Sequence, residues 1–190
     1  MRCEKNGSVA RAALSALKPP PASRTSMRTQ FEPSGRASRA EVTPESMLVV
    51  DYNGKVLEGE GQPPSELPIH IEILRARPDV QSVLHSHMEL AIAFTMMKGV
   101  QLQLMRARAV RWESGIPTHP DPSHIKEREQ GAALDKTLGP HHAVLMRGHG
   151  STVVGDRLKQ AVFRAVYTEN NAKLQAEAMR LGPIESLTAG

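Results

Sequence analysis

The stretch VLHSHMELAIAF, residues 83–94, carries His85 and His87 one residue apart at the end of an apolar run. In a β-strand, side chains two positions apart project from the same face. The two imidazoles would therefore point together and grip a divalent transition metal, for which neutral imidazole is a common ligand. A third donor must come from elsewhere, and His149 in LMRGHGS stands between Gly148 and Gly150, where backbone can approach an ion closely. Three histidines leave positions open for water or substrate, as in a catalytic rather than a structural site. The same pair would also serve as two hydrogen-bonded polar side chains of an ordinary strand. The remaining histidines, His70, His119, His124, His141 and His142, read as surface or hydrogen-bonding residues.

Glu66, in QPPSELPIH, falls in the first turn of an expected helix. An acid there complements the helix dipole. Beside a metal it would serve as acid/base or as an additional ligand.

The elements that must position these residues alternate between strand and helix. MLVVDYNGKVLEG reads as a hairpin turning at Asn53-Gly54. Ser65 is the expected N-cap of a helix reaching about Ala76, with Pro68 in its first turn. VQSVLHSH reads as a strand, MELAIAFTMMKG as a helix closed by Gly99, and VQLQL (100–104) as a further strand. Ser123 is the expected cap of a helix from about Ile125 to Leu138, and HAVLMRGHGSTVVG folds as two strands about a glycine-rich bend. Asp156 then caps a long helix ending near Leu181, with Gly182 beyond it. The pattern predicts an α/β chain, a central sheet with helices on both faces.

Composition bounds the rest. The chain has 190 residues, enough for one domain and a tail, and with only 3% aromatics its core must be aliphatic and methionine-rich. No apolar run reaches the ~18 residues of a membrane-spanning helix. Cys3 is the single cysteine, so no intrachain disulfide forms, and a reducing, cytoplasmic setting is expected. The net charge of +4 is unevenly spread. Residues 1–40 hold eight Lys/Arg against Glu4 and Glu32, a net of +6, which leaves −2 for residues 41–190. The folded part thus has no electrostatic footprint for nucleic acid. Residues 1–40, rich in Pro, Ser and Arg, are expected to be poorly ordered apart from a short helix over 8–17, with the domain proper at 41–190.

PPSELPIHIEILRARPDVQSVLHSH, followed by VLMRGHGSTVVG and a long C-terminal helix, resembles the class II aldolase/adducin family over about 42–181. The combination is specific: S-E, an H-x-H nineteen residues after the Glu, and a distant R-x-H-G. The resemblance implies a three-layer α/β/α fold with a central, mostly antiparallel or mixed sheet. It implies one divalent cation on His85, His87 and His149, with Glu66 as catalytic acid/base. It also implies a homotetramer with active sites near subunit boundaries. Imidazole suits Zn, Mn, Fe and Co alike, so the cation stays open.

Departures from the family pattern bear on the substrate. Sugar-phosphate aldolases of the family carry S-S-E where this chain has Pro64-Ser65-Glu66, and their upstream Gly-Asn phosphate loop has no match in residues 1–40. EGEGQPPSELPIH and GIPTHPDPSHI look more like the branch that decarboxylates hydroxylated aromatic or pyridine dicarboxylates. Ser65 and Arg147 would then bind substrate. Arg106, Arg108 and Arg111 are further candidates for carboxylates, and Trp112 would stack on a ring or pack in the core. The favoured expectation is a metal-dependent carbon–carbon lyase acting as a decarboxylase on a small molecule. The alternatives are a sugar-phosphate aldolase or epimerase, a non-catalytic adducin-like scaffold, and a binder of nucleic acid or anionic surfaces through the basic N-terminus.

Overall fold

The computed structural model describes residues 11–17, 26–30, 47–107, 112 and 115–187. In chain order the elements are β1 (Arg11–Leu17), β2 (Ser26–Gln30), β3 (Met47–Asp51), β4 (Val56–Glu58), α1 (Leu67–Ala76), β5 (Ser82–His87), α2 (Glu89–Met96), β6 (Thr118–His119), α3 (Arg128–Leu138), β7 (Ala143–Met146), β8 (Gly150–Gly155) and α4 (Leu158–Leu181). The strands form one eight-stranded sheet in the order β4-β3-β2-β1-β5-β8-β7-β6. Every pairing is antiparallel except β6 with β7, which is parallel.

Strand alternation divides the core into two layers. Val83 of β5, Val144 and Met146 of β7 and Val154 of β8 pack with Ile69 and Ile73 of α1 and Leu134 and Leu138 of α3. Their neighbours Leu84, Ala143, Leu145 and Val153 pack instead with Ala91 and Phe94 of α2 and Ala161, Ala165 and Ala172 of α4. The result is the expected α/β/α sandwich with a mixed, mostly antiparallel sheet. Helices α1 and α3 approach closely: a Cβ added to Gly131 would lie 2.6 Å from the carbonyl oxygen of Pro68. That contact fixes the chain entering α3 against the start of α1.

The structure departs from expectation at several places. Residues 11–17 are a strand, not part of a helix over 8–17. The Ala- and Leu-rich composition favours helix locally, but the backbone of β1 pairs with β5, and β5 would otherwise have one open edge. β1 and β2 precede residue 41 yet belong to the same sheet as β3, so the division expected between residues 40 and 41 does not bound the sheet. The order expected of residues 1–10, 18–25 and 31–46 lies outside the described residues.

Residues 100–104 are not a strand. Side-chain amides of α4 take the place of a ladder. Gln103 N–H donates to Gln175 Oε1 (2.7 Å) and Met105 N–H to Asn171 Oδ1 (2.9 Å). Asn171 Nδ2 donates to the Gln103 carbonyl (2.6 Å), and Gln175 Nε2 to that of Gln101 (2.7 Å). Backbone groups that the polar/apolar alternation assigned to a sheet are satisfied by a helix instead.

The expected helix caps are displaced. Glu66 rather than Ser65 is the N-cap of α1. Helix α3 begins at Arg128, capped by Glu127 in a reciprocal box with Gln130 rather than by Ser123. Arg157 rather than Asp156 precedes α4. Helix α2 ends at Met96, ahead of Gly99.

Candidate metal centre

β5 lies between β1 and β8, deep in the sheet. Its alternation puts His85 and His87 on the same face as Val83, toward α1 and α3. His149 occupies the bend between β7 and β8. Glu66 sits at the N-terminus of α1, over that face. One ligand atom from each of Glu66, His85, His87 and His149 can be chosen so that all four lie within 4.8 Å of one another. The imidazole centroids are 5.1 Å (His85–His87), 5.3 Å (His85–His149) and 5.5 Å (His87–His149) apart.

Glu66 is buried at the centre of this group. Its Oε2 lies 3.4 Å from His85 Nε2 and its Oε1 3.2 Å from His149 Nε2, with side-chain exposures of 7%, 2% and 6% for Glu66, His85 and His149. The Ile125 N–H donates to Oε1 at 3.1 Å. Burial pushes the carboxyl up, but the His149 and His85 imidazoles and this N–H outweigh it and hold Glu66 well below the usual carboxylate range. His85 Nδ1 is 3.4 Å from Thr152 Oγ1 on β8, which leaves Nε2 as the atom turned to Glu66.

Gly150 makes the cluster possible. A Cβ there would sit 2.9 Å from His85 Cε1, from His87 Cδ2 and from the Ser86 carbonyl oxygen. No side chain fits between the strand and the two imidazoles.

The donor set suits a divalent cation. Ligands 2.0–2.2 Å from a common ion lie at most about 4.4 Å apart, so a group within 4.8 Å needs only a small contraction. The Nε2 atoms of His85 and His149 are buried and are partners in no aligned hydrogen bond. Buried imidazole nitrogens in that condition are costly unless something accepts their lone pairs.

Other residues singled out from the sequence fall differently. Ser65 and Arg147 are exposed, bordering Glu66 and His149 in the chain but lying outside the four-residue group. Arg106 lines a depression with Tyr167 and Leu174 of α4, on the opposite side of the sheet. Trp112 is buried in the α2/α4 layer, a core residue rather than a platform for a ring at this site. Arg108 and Arg111 lie outside the described residues.

Two histidines read as ordinary belong to the surroundings of the site. His70 is completely buried on α1, one turn beyond Glu66. Burial, with His85 adding to it against the pull of Glu66, lowers its pKa to about 3 and keeps it neutral. The i, i+4 spacing from Glu66 was the available signal. His124, exposed, places Nδ1 3.6 Å from Glu66 Oε1 and its ring 5.0 Å from that of His149. No local pattern in DPSHIKE announces this. His119 meets expectation, hydrogen-bonding Thr137 at 2.9 Å.

The chain belongs to the class II aldolase/adducin family: residues 23–176 match the family model described as Class II Aldolase and Adducin N-terminal domain. It is 30% identical over 137 residues to 3,4-dihydroxyphthalate decarboxylase of Terrabacter sp., an alignment spanning 67% of this chain and 57% of that protein. It is 35% identical over 131 residues to decarboxylase tropJ of Talaromyces stipitatus, covering 60% of this chain and 49% of that one. The chain thus spans about half the length of the curated relatives it matches. Its fold is similar to that of an L-fuculose 1-phosphate aldolase (TM-score 0.76, 20% identity, 92% of this chain and 79% of the other). It is similar also to a putative aldolase/epimerase/decarboxylase from Escherichia coli (TM-score 0.77, 22% identity, 96% and 86%). Among the described residues no helix is long and apolar enough to cross a membrane.

Proposed function

We propose that this protein is a divalent-metal-dependent carbon–carbon lyase that decarboxylates a hydroxylated aromatic or heteroaromatic carboxylate. The observation that carries the reading is the convergence of Glu66 and His85, both buried, with His87 and His149, both half-buried. Similarity to 3,4-dihydroxyphthalate decarboxylases supports the choice of substrate class. Pro64, buried where the aldolases carry a hydroxyl, removes a donor that a phosphate would want.

His85, His87 and His149 would hold the cation, as Zn, Mn, Fe or Co, with Glu66 beside it. When bound, the cation supplies Lewis acidity toward a substrate oxygen next to the bond to be broken. Glu66, held ionised, takes the proton of the substrate hydroxyl on a carboxylate oxygen. It returns that proton to the ring carbon bearing the carboxylate. The carbon–carbon bond then breaks, its electrons pass back through the ring to the oxygen, and CO₂ leaves. The ring oxygen finally takes a proton from water, so one hydroxyaryl carboxylate and one water yield one phenol, one CO₂ and one hydroxide. Ser65 and Arg147, exposed and close in the chain to Glu66 and His149, would bind the substrate's remaining polar groups.

The assembly that goes with this reading is a homotetramer. Leu158, Val162 and Val166, exposed at i, i+4 and i+8 on α4, support a further contact surface on that helix. A cytoplasmic setting is part of the same proposal.

The test is to load the protein with metal and offer hydroxyaryl carboxylates and sugar phosphates in parallel, measuring CO₂ and aldehyde. CO₂ from a hydroxyaryl acid is the expected result. Aldehyde from a sugar phosphate, with no CO₂ from any aryl acid, would overturn the substrate choice in favour of the aldolase reading. Silence from both, with no bound metal, would favour an adducin-like scaffold.

A further inference from the structure

His124 stands outside the four-residue group, yet it touches that group at two points. Nδ1 lies 3.6 Å from Glu66 Oε1, and the ring centroid lies 5.0 Å from that of His149. Its side chain is 68% exposed, whereas that of Glu66 is 7% exposed. One end of the imidazole therefore borders the buried carboxylate while most of the ring faces solvent, at the mouth of the site.

The placement of His124 is built into the fold. The next residue, Ile125, donates its N–H to the same Glu66 oxygen at 3.1 Å. The Ile125 side chain is buried in the α1/α3 core. The segment then enters α3 through the Glu127/Gln130 capping box, in which Gln130 Oε1 accepts from Lys126 N–H (2.9 Å) and Glu127 N–H (3.0 Å). His124 is thus held beside Glu66 by the chain that follows it: by Ile125 and by the anchored start of α3.

The chemistry of the contact selects a ligand group. A neutral imidazole has one N–H donor and one bare nitrogen acceptor, and an ionised carboxylate only accepts. Nδ1 is the nitrogen toward Glu66 Oε1, which leaves Nε2 for the entering molecule. A hydroxyl both donates and accepts, so it pairs with that nitrogen whichever way the imidazole's protons are arranged, whereas a substrate carboxylate there would face the Glu66 carboxylate. We infer that His124 is a substrate-binding residue that hydrogen-bonds a substrate hydroxyl. This rests on the hydroxyaryl-acid reading above, and assigns a hydroxyl other than the one Glu66 deprotonates to a residue outside the metal group.

The experiment compares wild-type, His124→Phe and His124→Gln proteins, each loaded with Mn²⁺. Metal content and the binding of 3,4-dihydroxybenzoate and benzoate are measured by calorimetry. Phe keeps an aromatic ring without an acceptor, and Gln restores an acceptor oxygen. His124→Phe should keep its metal and weaken dihydroxybenzoate about tenfold, the loss of one hydrogen bond, with benzoate changed little. His124→Gln should recover most of that loss. Equal weakening of both probes, or no change in either, would overturn the inference while leaving the hydroxyaryl reading in place. A metal-loaded wild-type protein that binds neither probe would overturn both.

Discussion

His149 Nε2 lies 3.2 Å from Glu66 Oε1, joining the bend after β7 to the start of α1. Neither residue would be so placed by its own element. The bend is set by the β7–β8 pairing, which brings Met146 opposite Gly150, and the helix start by packing of α1 on the sheet. Where the two meet, a carboxylate and an imidazole share a buried space with a second imidazole, His85, 3.4 Å from the other carboxylate oxygen. Removing such groups from water is costly unless something compensates them, and a cation among them is the compensation proposed.

Glu66→Gln separates holding a metal from moving a proton. The amide is nearly isosteric and cannot carry the proton. Metal content should stay close to wild type while turnover falls about 10²–10⁴-fold, the range for a lost acid/base. Elemental analysis beside single-substrate kinetics checks both. Unchanged turnover would reduce Glu66 to a charge at a helix end.

Gly150→Ala tests the close packing of the imidazoles. The added methyl meets His85 and His87 ring carbons and the Ser86 carbonyl oxygen, each at 2.9 Å. The two rings must move apart. Metal affinity should fall by at least about tenfold, and stability by about 1–3 kcal/mol, as overpacking typically costs. Competition with a chromophoric chelator and urea denaturation give the two quantities. An unaltered affinity would mean that one of these histidines is not a ligand.

Thr152→Val removes the hydroxyl that lies 3.4 Å from His85 Nδ1 and keeps the shape of the side chain. Groups that orient metal-bound histidines typically contribute 10–100-fold in affinity. The contact is long, so about tenfold is expected. A spectroscopic titration with Co²⁺ reads the change. No change would show that His85 is held by its packing alone.

Asn171→Leu or Gln175→Leu should act on stability and leave the metal alone. Each amide makes two hydrogen bonds to the backbone of residues 101–105. Losing two hydrogen bonds to this part-buried backbone costs about 1–3 kcal/mol. Denaturant unfolding should show that loss with full metal content. A drop in metal content would tie this segment to the site, on the other side of the sheet.

Much of the site was legible because its signals are local. An H-x-H pair at the end of an apolar run points both imidazoles one way whatever the strand pairs with, and a histidine between glycines marks a close approach. That β5, β7 and β8 are strands could be read in the same manner. What escaped depended on partners distant in sequence. Residues 11–17 look helical by composition, and only pairing with β5 makes them a strand. VQLQL alternates like a strand, but Asn171 and Gln175, far along the chain, supply its hydrogen bonds. His124 carries no pattern of its own, since its position follows from Ile125 and the start of α3. The arginines after Leu104 looked available for a carboxylate, but the one of them that is described, Arg106, lies beside α4.

Metal stoichiometry tests most directly the proposal that His85, His87 and His149 hold a cation with Glu66 beside it. Purified protein, incubated in turn with Zn²⁺, Mn²⁺, Fe²⁺ and Co²⁺ and then dialysed, is analysed for bound metal alongside His85→Ala, His87→Ala and His149→Ala. The wild type should retain about one ion per chain of at least one of these metals, as expected of a single donor set, and each variant should lose it. Full occupancy in His149→Ala, or no metal retained by the wild-type protein under any of the four conditions, would contradict the proposal.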